Sequence, residues 1–409
     1  MVKIAPFEVE LWLNKYIPLS KHFVSSSCPL PITLNELRSL SDKPVSPDHD
    51  PIPESLFSAA LHYGTPGGLP KLRETIATLY SIKTPTPLPA KNVLITPGAT
   101  PANFEILHAL CGKGDHIIVH YPTYQQLYSI PEALGAEVSL WRSKEEDKWA
   151  VDVEELKGMI KPNTKAIIIN NPQNPTGAIL TRSTLESIIE IARENGITVF
   201  SDEVYRPLFH SISPADPEFP PSVLSLGYDN VVVSGSMSKA YSLPGIRVGW
   251  IASRSDEIIH RCVNWHSYTA ISVSQLDESA AAFALDSSVL HNLIKRNNDL
   301  ARRNLSILES FIEKYRWACE WAKPVASTVA FVKFSKMGKS VDDVAFCELL
   351  LAAKGVMFAP GSKCFGNGVD FKGYVRVGYV IETEKLEEVL RLVGEYLEEG
   401  FESVPVAKK

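Results

Sequence analysis

One polar segment after an apolar run contains residue types that suit the binding of a phosphate. Residues 234–250 contain Lys239, with Ser236 and Ser238 just before it and Arg247 eight residues after it. Hydroxyls and backbone N–H groups at the exit of a strand can surround an oxyanion, and arginine adds a two-point contact. Taken alone, the segment is more typical of a polar turn with a solvated lysine.

Two further polar segments follow apolar runs. Asn174 lies in Asn171-Pro-Gln-Asn-Pro-Thr-Gly177, directly after residues 166–170, and Asp202 ends a second run. Open α/β sheets bind ligands at the carboxyl ends of their strands. A buried carboxylate needs a partner, and a protonated pyridine nitrogen is a suitable one. Singly, these segments are equally typical of a well-made turn and a helix N-cap.

Together the motifs resemble the fold-type I enzymes of the class I/II aminotransferase family, which use pyridoxal 5'-phosphate (PLP). The resemblance extends from about Tyr63 to Arg376. In order, it comprises Tyr-Gly, a Gly-Ala turn, an aromatic residue, N-P-x-N-P-T-G, D-x-x-Y, S-x-S-K, an arginine eight residues on and a late arginine. It implies a PLP-dependent aminotransferase that acts on an α-amino acid, in amino-acid metabolism or biosynthesis.

The resemblance also implies a role for each matching residue. Lys239 would form a Schiff base with PLP and transfer the substrate proton, and Asp202 would keep the pyridinium protonated. Tyr205 and Asn174 would hydrogen-bond the phenolic oxygen of the ring, and Tyr124 would stack on its face. The implied phosphate site comprises Gly98, Ala99, Thr100, Ser236, Ser238 and Arg247, together with Tyr63 of a neighbouring subunit in a homodimer.

The implied substrate site includes Arg376, which would bind the α-carboxylate, together with Asn174 and Ser27. A buried arginine in an apolar strand requires a carboxylate partner. Residues 25–30 and 327–331 stand where the family usually has glycine-rich stretches that line the pocket. We expect both segments to border the substrate side chain, which favours a polar or functionalised amino acid.

The N-terminus leaves the reaction type open. Residues 3–12, followed by Ser25-Ser26-Ser27, resemble a subgroup that includes capreomycidine-synthase-like enzymes. That resemblance implies a lyase or cyclase, in which β- or γ-elimination on a polar or hydroxylated amino acid precedes cyclisation or replacement. Both routes begin with transfer of the α-proton to Lys239. A non-enzymatic regulator with the same fold is a third hypothesis, which the complete set of motifs argues against.

The elements that must position these residues alternate between strand and helix. Continuous β-branched runs such as 167–169 are typical of parallel strands buried on both faces. We therefore predict an α/β protein, with a large, mostly parallel PLP-binding domain at 49–288 and a small α+β domain at 289–409. Residues 1–48 should contribute to the small domain and the entrance of the site, and we expect a helix over 4–16.

The composition limits the classes of partner that we expect this protein to bind. The 409 residues carry a net charge of −6, which provides no broad positive field for nucleic acid or an anionic membrane. No apolar run is long enough to span a bilayer. The six cysteines are scattered without a C-x-x-C pair, so we expect no metal site and a cytoplasmic protein.

Overall fold

The computed structural model describes residues 3–82, 84 and 86–408. Its α-helices are α1 (Glu8–Tyr16), α2 (Leu34–Ser39), α3 (Ser55–Ser58), α4 (Pro70–Ser81), α5 (Ala99–Leu110), α6 (Gln126–Ala133), α7 (Val153–Met159), α8 (Arg182–Asn195), α9 (Asp256–Thr269), α10 (Gln275–Ala284), α11 (Ser287–Lys314), α12 (Asp343–Lys354), α13 (Gly361–Phe365) and α14 (Thr383–Glu399). Its β-strands are β1 (His22–Phe23), β2 (Val93–Thr96), β3 (His116–Tyr121), β4 (Glu137–Arg142), β5 (Thr164–Asn170), β6 (Thr198–Asp202), β7 (Val231–Ser236), β8 (Gly249–Ser253), β9 (Cys319–Trp321), β10 (Val329–Lys336), β11 (Lys339–Ser340), β12 (Val356–Met357), β13 (Ala359–Pro360) and β14 (Tyr374–Gly378).

A seven-stranded sheet forms the centre of the larger part of the molecule, in the order β2-β8-β7-β6-β5-β3-β4. Only β8 runs antiparallel to its neighbours in this sheet. Along β5, Ile167 and Ile169 enter one core and Ile168 enters the core on the opposite face. The prediction of a mostly parallel α/β sheet is therefore confirmed, as is the burial of its strands on both faces.

Helices cover both faces of this sheet. Apolar residues of α4, α8 and α10 pack on one face, and those of α5, α6 and α9 pack on the other. Helix α8 illustrates how the sequence sets the bounds of an element. The side chain of Thr181 caps its first turn, Leu185 and Ile188 enter the core, and Gly196 (φ 64°) ends the helix in the left-handed region.

The second sheet is antiparallel and has the order β11-β10-β14-β13, with β9 also paired to β10. Helix α11 connects the two parts, because its Leu293 packs in the first core and its Leu305 packs in the second. The boundary predicted at residue 288 falls in the first turn of this helix. Strand β10, which begins at Val329, lies at the centre of this sheet, paired with β9, β11 and β14.

Helix α1 packs on the second core. It buries Val9, Trp12 and Tyr16, and the indole nitrogen of Trp12 donates a hydrogen bond to the carbonyl of Phe358 (2.8 Å). The helix begins at Glu8 rather than residue 4, and Leu11 lies on its exposed side. None of the helices in the described ranges is both long and apolar enough to cross a membrane.

Candidate active site

The carboxyl ends of β5, β6 and β7 meet at one edge of the large sheet, where a cavity of about 280 Å³ lies beside α1 and β14. Parallel strands bring their ends together in this way, whatever the distance between them along the chain. The predicted residues that line the cavity are Ser27, Ala99, Thr100, Tyr124, Asn174, Asp202, Tyr205, Ser236, Ser238, Lys239, Arg247 and Arg376.

The amine of Lys239 points into this cavity. Its Nζ donates hydrogen bonds to the hydroxyl of Ser27 (2.8 Å) and the thiol of Cys28 (3.3 Å). Burial acts to lower the pKa of Lys239, but the acidic groups of Cys28, Tyr205 and Tyr124 outweigh it and raise the pKa above its usual value. Cys28 lies within residues 25–30, which the sequence placed beside the substrate, but no motif predicted its contact with Lys239.

Asp202 presents a buried carboxylate that lacks a cation. The side chain is 4% exposed and accepts hydrogen bonds from the Asn103 amide (3.1 Å) and the backbone N–H of Val204 (3.2 Å). Burial raises the pKa of Asp202 to about 6, although these hydrogen bonds and the charge of Lys239 lower it. Since no cation of the described chain forms an ion pair with it, a protonated ring nitrogen would fit here.

Several groups that can donate hydrogen bonds to an anion lie at the N-terminus of α5. Gly98 precedes the helix at φ 100°, and a Cβ atom there would lie 2.7 Å from Nη2 of Arg247, so only glycine fits. Arg247 donates to the Ser238 hydroxyl (3.3 Å), and the backbone N–H of Ser238 donates to the Ser236 hydroxyl (3.1 Å). A guanidinium, two hydroxyls and a helix N-terminus together suit a phosphate group.

Two tyrosines and an asparagine lie between these charged groups. Tyr205 is buried, and the ring of Tyr124 packs against Phe7 with centroids 5.0 Å apart. Burial, and then the charge of Glu10, raise the pKa of Tyr124 to about 12, so its hydroxyl stays protonated at neutral pH. The Asn174 side-chain oxygen accepts a hydrogen bond from Arg376 (3.1 Å), which leaves the Asn174 amide N–H groups free to donate to a ligand.

Arg376 is a buried cation with no carboxylate partner within the described chain. It is 2% exposed, donates to the Ser25 carbonyl (2.6 Å) as well as to Asn174, and its Nε has no partner. Its guanidinium lies over the ring of Phe365, 5.1 Å from the centroid, and burial lowers its pKa. A ligand carboxylate would supply both the missing charge and the missing acceptor.

The two segments expected beside the substrate differ in position. Ser26, Ser27 and Cys28 line the cavity. The expectation for residues 327–331 is wrong, because they lie behind that loop: Thr328 is fully buried and its hydroxyl donates to the Ser27 carbonyl (2.8 Å). Residues 329–331 lie in β10, beside β14 in the same sheet, and none of residues 327–331 lines the cavity.

Tyr63 lies outside the cavity and is 83% exposed. It borders a surface groove formed by residues 61–64, 270 and 272–274. Tyr63 is therefore accessible to a neighbouring subunit, but its contact with the site of that subunit stays a prediction.

Helix α1 supplies residues that sequence reasoning missed. Val9, Glu10 and Leu13 line the cavity, together with Phe23. An amphipathic helix gives no sequence signal for the neighbour it will cover, so these residues could be found only from the folded chain.

Known proteins resemble this chain over most of its length. Residues 34–393 match the family model described as aminotransferase class I and II. An aspartate aminotransferase of Thermotoga maritima is 29% identical over 366 residues, covering 87% of this chain and 89% of that protein. The capreomycidine synthase of Streptomyces vinaceus is 28% identical over 390 residues, covering 95% and 93%. A crystal structure of a PLP-dependent aminotransferase from Streptococcus suis 89-1591 matches with a TM-score of 0.87 at 35% identity, covering 100% of both chains.

Proposed function

The chain belongs to the class I and II aminotransferases and is a PLP-dependent transferase, and from that premise we propose that Lys239 holds PLP as a Schiff base for transamination of an α-amino acid. The observation that carries this proposal is the arrangement of three groups in one cavity. They are the amine of Lys239, the unpaired carboxylate of Asp202 and the unpaired guanidinium of Arg376.

The chain's own residues would divide the work as follows. Bound PLP supplies an electron sink that makes the substrate α-proton acidic. Asp202 would hold the proton on the ring nitrogen, and Nζ of Lys239 would accept the α-proton and return it. Arg247, the serine hydroxyls and the N-terminus of α5 would fix the phosphate, so that the ring stays against Tyr124.

Arg376 would orient the substrate by binding its α-carboxylate. Asn174 and the Ser25 carbonyl hold the guanidinium in place, so the direction of the fork is set before substrate arrives. A substrate bound in this way would present its α-carbon to the cavity into which the amine of Lys239 points.

Chemical trapping tests the cofactor attachment. Borohydride reduction of the holoenzyme should leave one reduced pyridoxyl group on the peptide that contains Lys239, as seen by mass spectrometry. The Lys239→Ala variant should carry none, while its circular dichroism matches the parent protein. Label on a different lysine would overturn the assignment of Lys239.

A second candidate is elimination or cyclisation, favoured by the polar wall that Ser26, Ser27 and Cys28 present next to Lys239. These groups suit a polar substrate side chain or a departing hydroxyl. The 28% identity to capreomycidine synthase supports a lyase or cyclase only as a related subgroup. A panel of amino acids separates the routes: keto acid formed with an acceptor indicates transamination, and consumption without an acceptor indicates elimination.

We also propose a homodimer in which Tyr63 reaches the neighbouring site. Large apolar side chains are exposed close to Tyr63 along the chain and across the groove, including Leu61 (72%) and Ile271 (57%). Exposed apolar side chains grouped in this way are typical of a surface that another chain covers.

Mixing two inactive variants tests this arrangement. Lys239→Ala and Tyr63→Ala should each be impaired as pure proteins, but each hybrid dimer should contain one complete site and recover activity. No recovery after verified subunit exchange, or a monomer in light scattering, would contradict the proposed dimer.

A reducing compartment, the cytoplasm, is our proposal for location. All six cysteines are free, and four of them are buried. Disulfides are rare in reducing compartments, and scattered free thiols are compatible with such a compartment. Cell fractionation checks this proposal, and recovery in a secreted fraction would contradict it.

A further inference from the structure

The cavity contains one charged residue that the proposed function does not use. The cofactor or the substrate backbone would supply an opposite charge or a bonding partner for each of four other charged residues, which are Lys239, Arg247, Arg376 and Asp202. Glu10 also lines the cavity, is exposed to solvent, and forms no hydrogen bond or ion pair with any residue in the ranges 3–82, 84 and 86–408. Glu10 therefore offers a free carboxylate to a substrate side chain in the cavity.

Glu10 is held on a firmly attached helix. At the start of α1, the Glu8 backbone N–H donates to the side chain of Gln125 (2.9 Å), which in turn donates to the Pro6 carbonyl (2.7 Å). One turn on, Trp12 is anchored in the second core. The position of the Glu10 backbone is thus set by both parts of the molecule, which suits a residue that selects a ligand.

The surroundings of Glu10 are apolar. Leu13 lies one turn further along the same face of α1, and Val9 and Phe23 complete this side of the cavity. Methylene groups pack well on such side chains, while a carboxylate attracts a terminal positive charge. Long basic side chains combine both properties.

We propose that Glu10 selects α-amino acids whose unbranched side chain ends in a cation, either an ammonium or a guanidinium. The inference rests on the proposed function, because Arg376 must first bind the α-carboxylate. This selective role differs from the ordinary role of an acidic residue in the first turn of a helix, because the ordinary role would only stabilise α1.

Calorimetry of the holoenzyme with two ligands of similar shape tests the inference. α-Methylornithine and α-methylnorleucine lack the α-proton and so cannot be turned over by the proposed route, and they differ at the end of the side chain by an ammonium in place of a methyl. The parent protein should bind the cationic ligand about tenfold more tightly or better. In Glu10→Gln that ratio should fall towards one, with the affinity for α-methylnorleucine unchanged.

Glu8→Gln is the matched control, because Glu8 also lies in the first turn of α1 but pairs with Lys363 (2.9 Å) outside the cavity. It should keep the parent ratio. Equal affinity of the parent protein for both ligands, or the same loss of preference in both variants, would overturn the inference. If neither ligand binds while PLP stays attached, the proposed function itself is wrong.

Discussion

The cofactor wall of the cavity is formed by Asn174 and Lys239, from the segments that follow β5 and β7, and by Asp202, at the end of β6. The substrate wall is formed by α1, by residues 26–28 and by Arg376 of the second sheet. The first wall is built from motifs at the ends of adjacent strands. The second joins segments some 350 residues apart, as in the hydrogen bond from Arg376 to the Ser25 carbonyl.

This difference suggests how one fold serves several reactions. Strand ends are fixed by the sheet, so a change there removes a function that every substrate needs. A helix and a loop laid over the cavity can change without disturbing the sheet. Substitutions in the cofactor wall should therefore affect all substrates alike, and those in α1 and residues 26–28 should change the preference among substrates. Arg376 is the exception within the substrate wall, because it would bind the carboxylate that all α-amino acids share.

The largest effect is expected for Lys239→Ala. Loss of both the covalent attachment and the proton-transferring amine should lower kcat by about 1,000-fold or more, for every amino acid tested. Exchange of the substrate α-proton in D2O should fall in parallel. Turnover close to that of the parent protein would remove Lys239 from the mechanism.

Asp202→Asn should come next. A neutral amide cannot hold the ring nitrogen protonated, so kcat should fall by about 100-fold, with a smaller change in substrate affinity. Single-turnover kinetics with two unrelated amino acids measures this loss, and it should be equal for both. A loss confined to one substrate would contradict the expectation that the cofactor wall serves all substrates alike.

Arg376→Lys tests the substrate wall. An ammonium cannot reproduce the two-point contact of a guanidinium, so kcat/KM for α-amino acids should fall by about 10- to 100-fold. Attachment of PLP should be unaffected, as monitored by its absorbance. If the parent protein uses an amino acid and its decarboxylated amine equally well, Arg376 does not bind the carboxylate.

The ionised carboxylate of Asp202 should destabilise the folded state of the cofactor-free protein. Its pKa in the folded chain is about 6, above the usual 3.8, so ionisation penalises the folded state above pH 6 and the penalty disappears below about pH 3.8. Asp202→Asn should therefore raise the free energy of unfolding by about 3 kcal/mol near neutral pH. Urea unfolding of both proteins at about pH 8 and pH 4 should show most of the gain at the higher pH and little of it at the lower one.

The smallest effect is expected for Cys28→Ala. Cys28 helps to raise the pKa of Lys239, so its removal should increase the neutral, reactive fraction of that amine. Covalent attachment of PLP to the cofactor-free variant should then be faster, by less than about tenfold. Cys111→Ala, a half-exposed thiol outside the cavity, is the control. A slower attachment in the Cys28 variant would reverse the expected sign.

The sequence predicted the cofactor wall more fully than the substrate wall. Apolar runs ending in polar motifs located Asn174, Asp202 and Lys239 at strand ends, and parallel strands necessarily bring such ends together. Asn103, which supports Asp202, was not found, because a single amide inside a helix has no distinguishing pattern.

The amino-acid sequence by itself determined the sheet, the order of its motifs and the family, because these depend on local periodicity and on short contiguous patterns. Only the tertiary structure decided that Glu10 faces the cavity, that the Cys28 thiol meets the amine of Lys239 and that Thr328 lies behind the cavity. The physical reason is that loops and one-sided helices take their orientation from contacts distant in the chain. Their final position depends on which surfaces they cover, and no repeat in their own residues records it.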